Sequence, residues 1–143
     1  MKLDERAIQY MAYFENISGA TVDDCISLED KIIYIVKKGQ VGLAIGKRGI
    51  NIKRAIKDLK KEIEIIENGD NAEELIRNAL HPAEINEITI SKSNDGKGEN
   101  VAYVKVDQKF RGMAIGKGGS KIDRCRILLE RHFDIDDVIL TKG

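Results

Sequence analysis

Apolar residues along this chain switch between two spacings, and the switch happens more than once. Over residues 3–18, Ala7, Tyr10, Met11, Phe14 and Ile17 recur at intervals of three and four and form one stripe of an amphipathic helix. The stripe is read as core rather than partner surface, and Gly19 is placed to end the helix. Residues 22–28 predict a short strand, and Glu29 and Asp30 a turn. Residues 31–37 hold Ile32, Ile33, Tyr34, Ile35 and Val36, a β-branched and aromatic run that predicts a buried strand. Gly39 breaks it. Residues 40–45 predict a short helix. Residues 50–61 predict a longer one with Ile52, Ala55, Ile56 and Leu59 inward, and residues 62–67 a last strand.

The same order then returns. Asn68, Gly69 and Asp70 form a turn, which divides the chain into domains at 1–68 and 69–143. Asn71 can cap a helix, with Glu74 three residues on to complete a capping box. Leu75, Ile76 and Ala79 supply its apolar face, and Pro82 prevents continuation. Residues 84–91 predict a strand with Ile85, Ile88 and Ile90, residues 93–100 a polar turn, and residues 101–106 the next strand. Residues 109–115 predict a short helix, 120–132 a long one, and 135–141 the last strand. Each half reads helix, strand, strand, helix, loop, helix, strand.

The repetition extends to residue identity. Gly42-Leu43-Ala44-Ile45-Gly46-Lys47-Arg48-Gly49 returns 70 residues later as Gly112-Met113-Ala114-Ile115-Gly116-Lys117-Gly118-Gly119. Ile52, Arg54 and Leu59 recur as Ile122, Arg124 and Leu129. Nine of the eighteen positions from 42 to 59 are identical to those from 112 to 129, which makes the chain two copies of one module.

In each copy an apolar run meets a Gly-x-x-Gly and a basic helix follows. The glycines let the backbone turn sharply. A helix starting there presents free N–H groups and a positive dipole end, a natural seat for phosphate. A P-loop is excluded: only three residues separate Gly42 from Gly46, and no Ser or Thr follows Lys47 or Lys117. Glycines acting only as helix stops would leave the basic loop tips unexplained. The pattern resembles the KH domain, whose Gly-x-x-Gly loop clamps about four nucleotides of single-stranded nucleic acid. The element order resembles the type II KH fold. That implies an α+β chain of two tandem type II KH domains, each a three-stranded sheet packed against three helices.

Composition fits a cytosolic globular chain. It has 143 residues and 42% hydrophobic content. No apolar run approaches the ~20 residues of a membrane span. Met1 to Arg6 shows no apolar leader segment, so no secretory signal is expected. Formal net charge is zero, yet residues 47–61 carry +6 and residues 117–131 carry +3, leaving −9 on the other 113. Phosphate contact depends on that local concentration rather than on the total.

Tandem modules in a chain this short, with Phe14-Glu15-Asn16-Ile17-Ser18-Gly19-Ala20 in the opening helix, resemble archaeal NusA-like transcription factors. The KH part of bacterial NusA is similar, but the further domains of those proteins are not expected within these 143 residues. The resemblance implies single-stranded RNA as ligand and a role in transcription termination, antitermination or elongation, with RNA polymerase as a further partner. The residues it carries over are Gly46, Lys47, Arg48, Gly49 and Gly116, Lys117, Gly118, Gly119. Asn51, Lys53 and Lys121 join them as contacts along the following helices. Bases would lie in a groove beside the loop, with Ile45, Ile50, Ile52, Ile115 and Ile122 as candidates for its floor. Aromatics are 5% of the chain and Trp is absent, which argues against aromatic stacking platforms. Gly118 in place of Arg48 implies a weaker second clamp, and the short turn at 68–70 implies a fixed relative orientation.

His81 and His132 stand apart from any metal-ligand spacing, and Cys25 and Cys125 form no CxxC. No catalytic constellation is present. The expectation is a monomeric RNA-binding protein that is not an enzyme, takes no metal or other cofactor and contacts no membrane. The competing reading is a scaffold that docks on RNA polymerase or the ribosome through its acidic surface.

Overall fold

A computed structural model of the chain describes residues 5–93 and 95–143. The chain divides into two compact units between Asp70 and Asn71. In the first, α1 (Glu5–Ser18) leads into β1 (Val22–Ser27) and β2 (Lys31–Val36). Then come α2 (Val41–Ile45), a 3-10 turn (Lys47–Gly49), α3 (Ile50–Leu59) and β3 (Glu62–Glu67). β2 is central, antiparallel to β1 and parallel to β3. A parallel pair needs a crossover, and α2 and α3 supply it.

β2 is buried from Ile32 to Val36, as its unbroken apolar run requires. Ile32, Tyr34 and Val36 pack with Phe14, Ala7 and Cys25 into one cluster. The Phe14 ring stacks on Tyr34, with centroids 4.4 Å apart and planes 18° from parallel. Burial leaves the Tyr34 hydroxyl needing a partner, and it donates to the Tyr10 carbonyl at 2.9 Å. Burial also pushes the phenol well above its ordinary titration range. Ala44 on α2 and Ala55 on α3 are fully buried. Their short side chains let both helices approach the core closely, and that fixes the loop between them.

The second unit repeats the plan with α4 (Ala72–Leu80), β4 (Glu87–Lys92) and β5 (Asn100–Val106). It continues through α5 (Gln108–Ile115), a 3-10 turn (Lys117–Gly119), α6 (Ser120–Phe133) and β6 (Asp137–Lys142). β5 is central, antiparallel to β4 and parallel to β6. The Asn71 side chain accepts from the Glu74 amide at 2.9 Å and so caps α4. Leu75, Ile76 and Ala79 on α4 are buried, as are Leu128 and Leu129 on α6. Among the described residues, each unit is α+β, one three-stranded sheet with three α-helices.

Several expectations shift. β4 starts at Glu87 rather than at residue 84, because the Ile85 carbonyl accepts from Arg77 Nη1 at 2.9 Å and is held by α4 instead of the sheet. β6 starts two residues late, because Ile135 turns inward beneath the end of α6, its amide donating to the Leu129 carbonyl. Ile56, expected inward, is exposed. The start of the first helix at residue 3 and Asn94 of the polar turn lie outside the described residues.

Candidate nucleic-acid interface

The two loops follow one backbone course. Gly46 has φ 80°, ψ 167° and Gly116 has φ 78°, ψ 171°. Two residues later Arg48 has φ 56°, ψ 26° and Gly118 has φ 62°, ψ 20°. Gly49 and Gly119 then open α3 and α6 in the left-handed region. Internal bonds close each loop: the Gly49 amide donates to the Gly46 carbonyl at 3.0 Å, and Gly119 to Gly116 at 3.1 Å. The side chains at the second and third loop positions are thrown outward. Lys47, Arg48 and Lys117 are exposed and make no ion pair among the described residues.

The first loop glycine allows a close approach that a side chain would block. A Cβ at Gly116 would lie 2.8 Å from the Lys121 backbone nitrogen, and one at Gly46 would lie 2.7 Å from the Asn51 amide nitrogen. The third position is different. A Cβ at Gly118 would meet nothing within 4 Å, yet its φ is positive. Arg48 therefore occupies a conformation that costs a non-glycine residue about 1–2 kcal/mol. Exchange should expose this cost. Arg48→Gly is expected to raise the stability of the first unit by about 1 kcal/mol, and Gly118→Arg to lower that of the second by a similar amount. Urea midpoints read both, and unchanged midpoints would remove the strain from the account.

The outer site residues divide. Lys53 joins Lys47, Arg48 and Ile50 around a cleft of about 400 Å³. Asn51 is used within the loop, its side-chain amide donating to the Leu43 carbonyl at 3.1 Å, so it props the turn. Lys121, its counterpart in the second unit, donates to the His81 carbonyl at 2.6 Å and is drawn to the end of α4. Its spacing from the second loop gives no sign of that partner, because His81 is forty residues away.

A groove does lie beside the second loop. Ile115 of α5, Ile122 of α6 and Val138, Ile139 and Leu140 of edge strand β6 line a cavity of about 350 Å³ with Arg111 and Arg126. Sequence reasoning missed the two arginines. Arg126 is held three ways: to Asp137 at 2.9 Å, to Asp123 at 3.0 Å and to the Val138 carbonyl at 3.0 Å. Its i,i+3 spacing from Asp123 is legible in the sequence; its bond to Asp137 is not. The first unit has Ile56 at the position of Arg126, and it is exposed. Ile45 and Ile50 are also exposed, while Ile122 is mostly core. Burial pushes the Cys125 thiol up to about 12, so it stays protonated and packs as a small apolar residue.

Paired Gly-x-x-Gly loops, each between two helices that pack on a three-stranded sheet, are a KH arrangement, and known proteins agree. The KH-domain model matches residues 8–106, and the model of the NusA-like second KH domain matches residues 72–142. A probable transcription termination protein NusA of Halococcus morrhuae is 38% identical over 97% of this chain and 97% of its own length. This chain belongs to the NusA family of KH-domain proteins. A NusA of Methanocaldococcus jannaschii, also described as a probable transcription termination protein, is 32% identical over 96% of this chain and 74% of its own. The crystal structure of APE1850 matches with a TM-score of 0.83 at 30% identity, covering 97% of this chain and all of that one. The matched second NusA-like KH domain contains the Lys117 loop and the groove with Arg126 whole. No described helix is long and apolar enough to cross a membrane.

Proposed function

We propose that this NusA-family chain binds single-stranded RNA during transcription and acts in termination, antitermination or elongation control. The observation that carries the reading is the pair of loops with one backbone course, each projecting cations that make no ion pair among the described residues, beside a helix N-terminus. Gly46, Gly49, Gly116 and Gly119 shape the clamps, and Lys47, Arg48, Lys53 and Lys117 neutralise phosphates. Bases enter the groove lined by Ile115, Val138 and Ile139, where the pinned Arg126 guanidinium offers donors to a base edge. Asn51 and Lys121 act by positioning the loop and the end of α4. The protein works as a monomer in the cytoplasm, by binding and without a catalytic step, and RNA polymerase is its further partner. The names of its relatives support the transcriptional role.

Fluorescence anisotropy with a labelled single-stranded RNA of mixed sequence tests the reading. Affinity should fall with salt on a log–log slope of about −2 to −3, as three or four phosphate contacts require at about 0.7 per contact. Gly118→Arg should raise affinity despite its cost in stability, since it adds the missing cation. Wild-type protein with no RNA affinity at any salt would refute the reading and leave the scaffold that docks through acidic surface.

A further inference from the structure

The basic surface of the first unit does not stop at the loop. Helix α3 places Ile50, Lys53 and Lys57 at successive three- and four-residue steps, one stripe opposite buried Ala55, and Lys60 follows directly after the helix. Lys53, Lys57 and Lys60 are exposed and make no ion pair among the described residues. The stripe opens directly from the cleft that Lys47, Arg48, Ile50 and Lys53 enclose. The acidic residue of the helix, Asp58, is kept off it and occupied by the Tyr13 hydroxyl and Arg54.

A solvated helix face is the ordinary explanation of such lysines, and the molecule contains its own control. The matching stripe on α6 is Ser120, Asp123, Ile127 and Glu130. It too lies opposite buried residues, and it carries two acids and no base. Exposure alone therefore does not require lysine. Nor does the helix dipole: it favours cations in the last turn but opposes Lys53 in the first. Lys60 moreover holds the left-handed position at the end of α3, φ 56°, where glycine or asparagine is the usual occupant. From Ile50 to Lys60 the stripe runs about 15 Å at the helical rise, enough for more than one phosphate of an extended strand.

We propose that Lys57 and Lys60 form a second phosphate-binding track, in the first module only, that holds RNA backbone flanking the nucleotides held by the loop. The inference rests on the RNA-binding reading above and adds to it a direction and an asymmetry. The first module grips a longer footprint through sequence-independent contacts, and the second contributes the arginine-walled groove.

The test is anisotropy on the full chain with single-stranded RNAs of about four and about eight nucleotides, the shorter filling one clamp. Lys57→Gln/Lys60→Gln should bind the short RNA as wild type does. It should bind the longer one about five- to tenfold more weakly, with the salt slope reduced by about 1.4 for two lost contacts. In the second module, Ile127→Lys/Glu130→Lys should strengthen binding of the longer RNA. An unchanged slope and length dependence in the first variant overturns the proposal. So does loss of polyglutamate binding with RNA binding intact, which would make the stripe a docking face for acidic protein. Failure of the underlying reading looks different: wild type then binds neither RNA.

Discussion

Replacing Lys47 and Arg48 together by aspartate lowers affinity for single-stranded RNA about 100-fold at moderate salt. The magnitude follows from two charge-assisted contacts of about 1.5 kcal/mol each, with about 1.4 kcal/mol corresponding to tenfold. Both side chains are exposed and free of ion pairs among the described residues, so folding does not depend on their charge. Arg48 carries a cation in a left-handed conformation that glycine would hold without strain, so the residue is costly to the fold and its value lies at the loop tip. The same reversal in the second loop, Lys117→Asp/Gly118→Asp, removes one cation and should cost about tenfold. Circular dichroism establishes that each variant is folded, and anisotropy reads the affinity. Folded variants that bind like wild type would show that the loops are not the clamps.

The repeat makes the loops legible from the chain alone. Gly46 to Gly49 and Gly116 to Gly119 are contiguous, so spacing is enough to place Lys47, Arg48 and Lys117 at two exposed tips. The central strand is equally plain, because Ile32 to Val36 form an unbroken apolar run that only a buried strand accommodates. What stays hidden depends on partners far along the chain. The bond from Lys121 to the His81 carbonyl is one such feature, since the two residues lie forty positions apart. Arg126 reads as one more basic residue until Asp137 and the Val138 carbonyl pin it at a groove wall. Ile56 keeps the helical period of the core, yet it is exposed. The strain at Arg48 is hidden for another reason: a left-handed φ is a property of the backbone, and only the glycine at position 118 hints at it.

Phe14→Ala is expected to cost the first unit about 3–5 kcal/mol, the usual penalty for emptying a buried aromatic site. Phe14 has no solvent exposure and stacks on Tyr34, whose hydroxyl is bound in turn to the carbonyl of Tyr10 on the same helix. Removing the ring leaves a void that joins α1 to β2 and undoes the seat of Tyr34. A unit of roughly 70 residues has only about 4–10 kcal/mol in hand, so the variant should be marginal at physiological temperature. Phe14→Leu, which keeps most of the volume, should lose far less. The consequence for binding runs through α2 and α3. Their buried Ala44 and Ala55 seat the 46–49 loop on this core, so a loosened core should weaken the Lys47- and Arg48-dependent part of RNA affinity even though Phe14 touches no ligand. Urea denaturation and amide exchange across β1 and β2 measure the first effect, and anisotropy measures the second. A midpoint for Phe14→Ala no lower than that of Phe14→Leu would mean that the stacked pair is not the keystone of the first module.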